Sequence, residues 1–140
     1  MKDQLLLWKG TRHGGPIQGV PSKMEIVGER NVHLGPRFDY ARVVMDVEPS
    51  KEFEIVSAVE VGNAARFGYD EATVDHIMEK FIFGLLDEIL TNEPGPIMRV
   101  RVTLKAADID PIDSSADAFF EAGQDAGRKL RVALGYAKMR

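Results

Sequence analysis

The sequence predicts an α+β domain in which a four-stranded sheet carries two helices on one face, in the order β-β-β-α-β-α. Three observations lead there. Apolar and polar residues alternate with period two in several short runs, most strictly in Met98-Arg99-Val100-Arg101-Val102-Thr103-Leu104-Lys105, the pattern of a strand covered on one side. Two longer stretches repeat apolar residues at three- and four-residue steps, the mark of a helix with one buried stripe. The links between the first three strands are short, which argues for an antiparallel meander.

Residues 1–23 read as a flexible leader, rich in glycine and proline between Gly10 and Pro21. Leu5, Leu6, Leu7 and Trp8 within it are suited to being pinned onto the body or a partner. Residues 24–140 form the folded domain. Met24–Arg30 is the first strand, with Met24 and Ile26 on one face, and residues 31–39 are a loop. Tyr40–Val47 is the second strand: Ala41, Val43, Met45 and Val47 alternate with Tyr40, Arg42, Val44 and Asp46. Pro49-Ser50-Lys51 turns the chain into a third strand, Phe53–Glu60. Residues 63–69 link to a helix over Glu71–Leu90, with Asp70 as N-cap. Val74, Ile77, Met78, Phe81, Ile82, Leu85, Leu86 and Ile89 give that helix a wide apolar face.

Thr91 through Pro96 end the helix and lead into the alternating strand. An acidic turn follows, Asp108-Ile109-Asp110-Pro111-Ile112-Asp113, where proline stops the strand. Ser114 and Ser115 are candidate N-caps for the closing helix, and Asp117 in its first turn complements the dipole. Phe119, Ala122, Ala126, Leu130 and Ala133 form its buried stripe. The expected core is Val43, Met45, Phe81, Leu85, Val100, Val102, Phe119, Ala122 and Leu130.

The chain has 140 residues, 44% of them hydrophobic and 29% charged, ordinary values for one soluble domain. No apolar run reaches the ~20 residues of a membrane span, so a cytoplasmic location and no membrane partner are expected. With no cysteine, disulfides and thiol chemistry are excluded. The net charge of −4 is unevenly spread: residues 43–97 hold three Lys/Arg against twelve Asp/Glu, while residues 98–140 hold eight against six. The chain lacks the basic excess of a strong nucleic-acid binder, and DNA binding is not expected.

Candidate chemistry is sparse. His13, His33 and His76 show no paired metal-ligand spacing. Asp108, Asp110 and Asp113 lack the glycine and distant glutamate of a calcium loop. Ser114 and Ser115 have no histidine placed by sequence to activate them. The glycines of the leader lack the GK[ST] ending of a phosphate-binding loop. Neither a catalytic role nor a cofactor is expected. Arg42, Arg99, Arg101 and Lys105 all project from strands on the side opposite the apolar residues. They form either a basic patch suited to a phosphate backbone or acidic partner, or cross-strand pairs with Glu52 and Glu54.

Several stretches, in this order, resemble the fourth domain of elongation factor G, the ribosomal translocation GTPase. Tyr40-Ala41-Arg42-Val43-Val44-Met45-Asp46 with Pro49 is similar to one strand of that family, and Phe53-Glu54-Ile55 to the next. Asp113-Ser114-Ser115 with Ala118-Phe119 is similar to its closing helix start. The resemblance covers about residues 24–135. It implies a fold shared with the second domain of a small-subunit ribosomal protein, including a left-handed β-α-β crossover. It also implies two tip loops that reach the decoding centre and the tRNA–mRNA duplex. The first falls on residues 33–39, where Gly35 and Arg37 match. The second falls on residues 108–113, where the family's functional histidine position is Asp110. The GTPase domain of that family is not present in this sequence.

Two functions of different classes therefore stand as expectations. One is a non-catalytic, ribosome- or RNA-associated module resembling the translocase tip, touching RNA through Arg37, Arg42, Arg99, Arg101 and Lys105. The other is a protein–protein interaction module or homodimer without RNA contact. An enzyme on the same superfold is excluded by the missing glycine- and serine-rich ATP loop of its small-molecule kinases.

Overall fold

A computed structural model describes residues 5–9, 17–34, 37–60, 68–93, 95–110 and 114–136. Six strands and two helices run in the order β1 (Leu5–Lys9), β2 (Gln18–Gly19), β3 (Met24–Leu34), β4 (Arg37–Pro49), β5 (Glu54–Ser57), α1 (Glu71–Ile89), β6 (Ile97–Asp108) and α2 (Ala116–Ala133). The sheet order is β1-β5-β6-β4-β3, with β2 pairing alongside β6. β3, β4 and β6 are antiparallel neighbours, whereas β5 and β6 run parallel, so α1 is the crossover between them.

The sheet is larger than the four strands expected. Leu5–Lys9, within the stretch read as a leader, pairs antiparallel with β5. Gln18–Gly19 pairs parallel with β6. β5 carries buried Ile55, Val56 and Ser57, so an outer edge without a partner would leave its backbone polar groups unsatisfied beside the core. A run of three leucines and a tryptophan has no period that declares a strand, which is why the sequence does not reveal it.

The expected loop at 31–39 is also mostly strand. β3 and β4 stay paired out to Leu34 opposite Arg37. This arm extends beyond the last β4–β6 pair, where the sheet is only two strands wide. There Val32 and Leu34 alternate with Asn31 and His33, but they stand opposite Asp39 and Arg37, so no apolar face runs across both strands.

Each predicted core residue is buried and belongs to one cluster. Odd positions Ala41 to Val47 of β4 and even positions Val100 to Leu104 of β6 face the helices. Ala133 departs from the expected stripe: it is exposed at the last residue of α2, where the helix has passed the core. Between Val44 and Met45 the β4–β6 register slips, so Lys105 is the extra residue of a bulge. A bulge flips the alternation that follows it. Beyond it Ala107 and Ile109, not the even positions, pack against the core.

The helices meet backbone to backbone. A Cβ at Gly84 of α1 would collide with the Phe120 carbonyl oxygen, and one at Gly123 of α2 with the Phe81 carbonyl oxygen. α2 likewise rests on β3, where a Cβ at Gly28 would meet the Ala122 carbonyl and lie 2.7 Å from the Ala126 Cβ. Side chains of α2 also occupy the outer edge of β3. The Asp125 carboxylate accepts from the Glu29 N–H at 3.0 Å, and Lys129 Nζ donates to the Val27 carbonyl at 2.8 Å. Those two β3 groups are therefore already bonded and not open to a further strand.

Both caps follow the sequence. Asp70 accepts from the Thr73 N–H at 2.8 Å and Ser115 from the Ala118 N–H at 3.0 Å.

Candidate functional site

Strand direction brings two turns to one end of the sheet. β6 finishes at Asp108 opposite Arg42, whereas β4 continues back five residues further to Arg37. At ~3.4 Å per residue the β3–β4 arm reaches about 17 Å past the end of β6. The chain leaves β6 at the base of that arm and enters the loop leading to α2. Of the two segments expected as tip loops, the described part of 33–39 is the outer half of the arm, and residues 108–110 stand at its base. Gly35, Pro111 and Asp113 lie outside the described residues, as does the placement of the Arg37 side chain.

The base of the arm is tied to the loop by one hydroxyl. Ser114 Oγ donates to the Tyr40 carbonyl at 2.6 Å and accepts from the Asp110 N–H at 2.8 Å. The Ser114 N–H also donates to the Asp110 carbonyl at 2.8 Å. The paired serines therefore divide two tasks: Ser115 caps α2, and Ser114 fastens the acidic turn to β4. The Tyr40 hydroxyl donates to the Asp108 carboxylate at 3.2 Å. Burial, and then the charge of Asp108 and its hydrogen bond, push the Tyr40 phenol above its ordinary value. Arg42 approaches the same carboxylate at 3.8 Å. Tyr40 and Ser114 carry this geometry, yet in the sequence they read only as a strand start and a cap.

On the uncovered sheet face three of the four expected cations, Arg42, Arg101 and Lys105, stand along β4 and β6 beside carboxylates. Lys105 Nζ is 2.6 Å from Glu25 and 3.1 Å from Asp46. Those two hydrogen bonds, Glu25's first, hold the Lys105 ammonium above its ordinary value. Lys23 adds a contact of 3.5 Å to Asp46. Arg101 lies in register between Glu48 of β4 and Glu54 of β5. The acids in contact are thus Glu25, Asp46 and Asp108, and Glu54 lies in register beside Arg101. Glu52 lies in the turn before β5, where its N–H donates to Ser50 Oγ at 3.3 Å. Arg99, at the opposite end of β6, is exposed and makes no ion pair among the described residues.

His76 is exposed on α1, with Nδ1 3.9 Å from Glu79. Among the described residues no three His, Asp or Glu side chains are grouped to hold a metal ion. No helix among them is long and apolar enough to cross a membrane.

No protein-family model matches the chain, and no curated protein matches it. Among solved structures it is similar to a crystal structure of a protein from Thermus thermophilus, with a TM-score of 0.66 and 19% sequence identity. The match covers 81% of this chain and 16% of the Thermus chain. A likeness of that kind establishes the mixed α+β fold; function has to be argued from the site itself.

Proposed function

We propose that this chain is a non-catalytic binding module built like the tip domain of the translocation GTPase. It associates in the cytoplasm with the ribosome or another structured RNA through the end made by the β3–β4 arm and the β6–α2 loop. The observation that supports this most is that end itself: a two-stranded arm about 17 Å long beside a loop fastened at its base by Ser114. A two-stranded projection with a second loop at its foot is suited to entering a groove that a flat sheet cannot reach. The order of the strand and helix-start motifs supports the finer fold reading, including the left-handed crossover through α1. Nucleotide hydrolysis is not part of the proposal, since the sequence lacks a phosphate-binding loop.

Arg37, at the start of β4, is the leading candidate for phosphate contact. Arg42, Arg101 and Lys105 contribute less, because each must exchange nearby carboxylates for phosphate. The test is co-sedimentation with purified ribosomal subunits across a salt series. Each phosphate neutralised steepens the log–log salt dependence by roughly 0.7–0.9. Binding that weakens from dilute to physiological salt, with a shallower slope in Arg37→Ala, is the expected result. Unchanged affinity and slope in both Arg37→Ala and Arg101→Ala refute the RNA reading.

The second reading is a protein-interaction module, or a homodimer, without RNA contact. The carboxylates set against the strand-face cations favour it, as does a net charge of −4. Failure to sediment with ribosomal particles at any salt, together with a concentration-dependent dimer in analytical ultracentrifugation, is its signature.

A further inference from the structure

The end of the sheet opposite the arm holds a cleft of different character, lined by Ile17, Val20, Pro49, Ser50, Lys51 and Arg99. Its frame is built from backbone bonds. β2 runs beside β6 with Gly19 in register with Arg99, and the Gln18 N–H donates to the Pro96 carbonyl at 2.8 Å. On the other side the Ser50 N–H donates to the Arg99 carbonyl at 3.1 Å. Tyr136, just beyond α2, holds β2 in place through a 2.7 Å bond from its hydroxyl to Gln18 Oε1. The strand carrying Arg99 and the turn carrying Lys51 are thereby fixed relative to each other.

Charge sets this cleft apart from most of the surface. Lys23, Arg30, Arg42, Lys105, Lys129 and Arg131 each face a carboxylate within 4.0 Å. Lys80 lies over the Phe83 ring, and Arg128 lines a hollow shared with Glu29, Glu121 and Asp125. By contrast Lys51 and Arg99 are both exposed, neither makes an ion pair among the described residues, and no carboxylate lines the cleft. In an acidic chain, two uncompensated cations beside apolar Ile17, Val20 and Pro49 form a site for an anion with an apolar neighbour.

We infer that this cleft binds an acidic peptide segment, a carboxylate side chain flanked by apolar residues, from a protein partner. A nucleic-acid strand fits it less well. Glu48 and Glu52 stand immediately beside the lining in sequence, so a polyanion extended past two charges meets carboxylates at once. A short peptide places one or two carboxylates between Lys51 and Arg99, with its apolar residues against Ile17 and Pro49. The site is independent of the arm and of what the arm touches.

The test uses the full chain, isotopically labelled, titrated in separate arms with three probes. They are a short acetylated peptide alternating leucine and glutamate, its glutamine counterpart, and oligouridylate. The expected result is saturable amide shifts around 17–20, 49–51 and 98–100 with the glutamate peptide alone. K51Q and R99Q should each weaken that binding roughly tenfold, the scale of one charge-assisted contact, while Arg37→Ala leaves it unchanged. The inference is overturned if the glutamine peptide binds equally well or the shifts fall elsewhere. It is also overturned if the K51Q/R99Q double variant binds as the parent does, or if oligouridylate occupies the cleft more tightly than the peptide.

Discussion

Gly84→Ala is the most exacting probe of how the helices are placed. In a free helix interior the change is favourable by about 1 kcal/mol, because alanine is the better helix former. Here the added methyl meets backbone: the Phe120 carbonyl oxygen head-on, and the Gln124 nitrogen at 2.9 Å. No rotamer change relieves a clash with backbone, so α1 and α2 must move apart. A gap approaching 1 Å forfeits about a quarter to a half of each dispersion contact it opens. Phe81 and Leu85 are fully buried on α1, and Phe119 and Ala122 on α2, beside that crossing. Overpacking of this kind costs about 1–3 kcal/mol and sometimes more. Because the obstruction is backbone, the upper half of that range applies, and after the propensity gain is subtracted the net loss is about 1–2 kcal/mol. For a chain of this size that is a fall in Tm of roughly 3–7 °C. Urea unfolding followed by circular dichroism reads it directly, with Gly68→Ala as comparison. Gly68 has φ +84° and nothing within 4 Å of an added Cβ, so only local strain of about 1–2 kcal/mol applies there. A Gly84→Ala protein as stable as the parent, or more so, refutes the close crossing.

Phe119 is fully buried, so Phe119→Ala should cost about 3–5 kcal/mol in the same unfolding assay. Ser114→Ala removes the link between Tyr40 and Asp110; amide exchange should quicken at Asp110 and Ser114 while the α2 cap at Ser115 is retained. Tyr40 has a raised folded-state pKa, so its contribution to stability is present below about pH 10 and is lost as pH rises through the raised value. Asp108→Asn, followed by the ring carbon signal of Tyr40, should move that titration downward, leaving the part due to burial. Asp70 shifts the other way, because the Thr73 N–H holds its carboxylate below the ordinary value. Its contribution is present above about pH 4 and is lost as pH falls through the folded value, so Asp70→Ala should abolish that acid dependence in exchange at the first turn of α1. Asp110→His removes a negative charge from the loop and should strengthen co-sedimentation with ribosomal subunits; equal or weaker binding counts against the arm-end proposal.

What the sequence discloses follows the burial. β4, β6 and both helices each bury one face, so the periodicity of Ala41–Val47, Val100–Leu104, Val74–Ile89 and Phe119–Leu130 is plain, and both caps carry their own chemistry. In the β3–β4 arm each strand alternates, but the apolar residues of one stand opposite polar residues of the other, and the Gly35-Pro36 pair between them reads as a loop. Leu5–Lys9 joins the sheet at an edge, where backbone pairing outweighs any side-chain alternation. The bulge at Lys105 is a register event, visible only once β4 and β6 are aligned. The cations of the candidate site are visible as residues, but their partners are not. Glu25 lies 80 residues from Lys105, a pairing that only strand order can supply. Gly84, Gly123 and Gly28 give no sign of a contact, since a glycine in a helix or strand shows its purpose only when the neighbouring backbone is in place.

The central claim is that the arm end is the working surface. A photoreactive side chain at Asn31, exposed in β3 on the arm, tests it most directly against purified ribosomal subunits, with the same group at Asp87 on the exposed side of α1 as the comparison. Salt-sensitive adducts to ribosomal RNA or ribosomal protein are expected from Asn31 and none from Asp87. Adducts from Asp87 alone, or from neither position, contradict it.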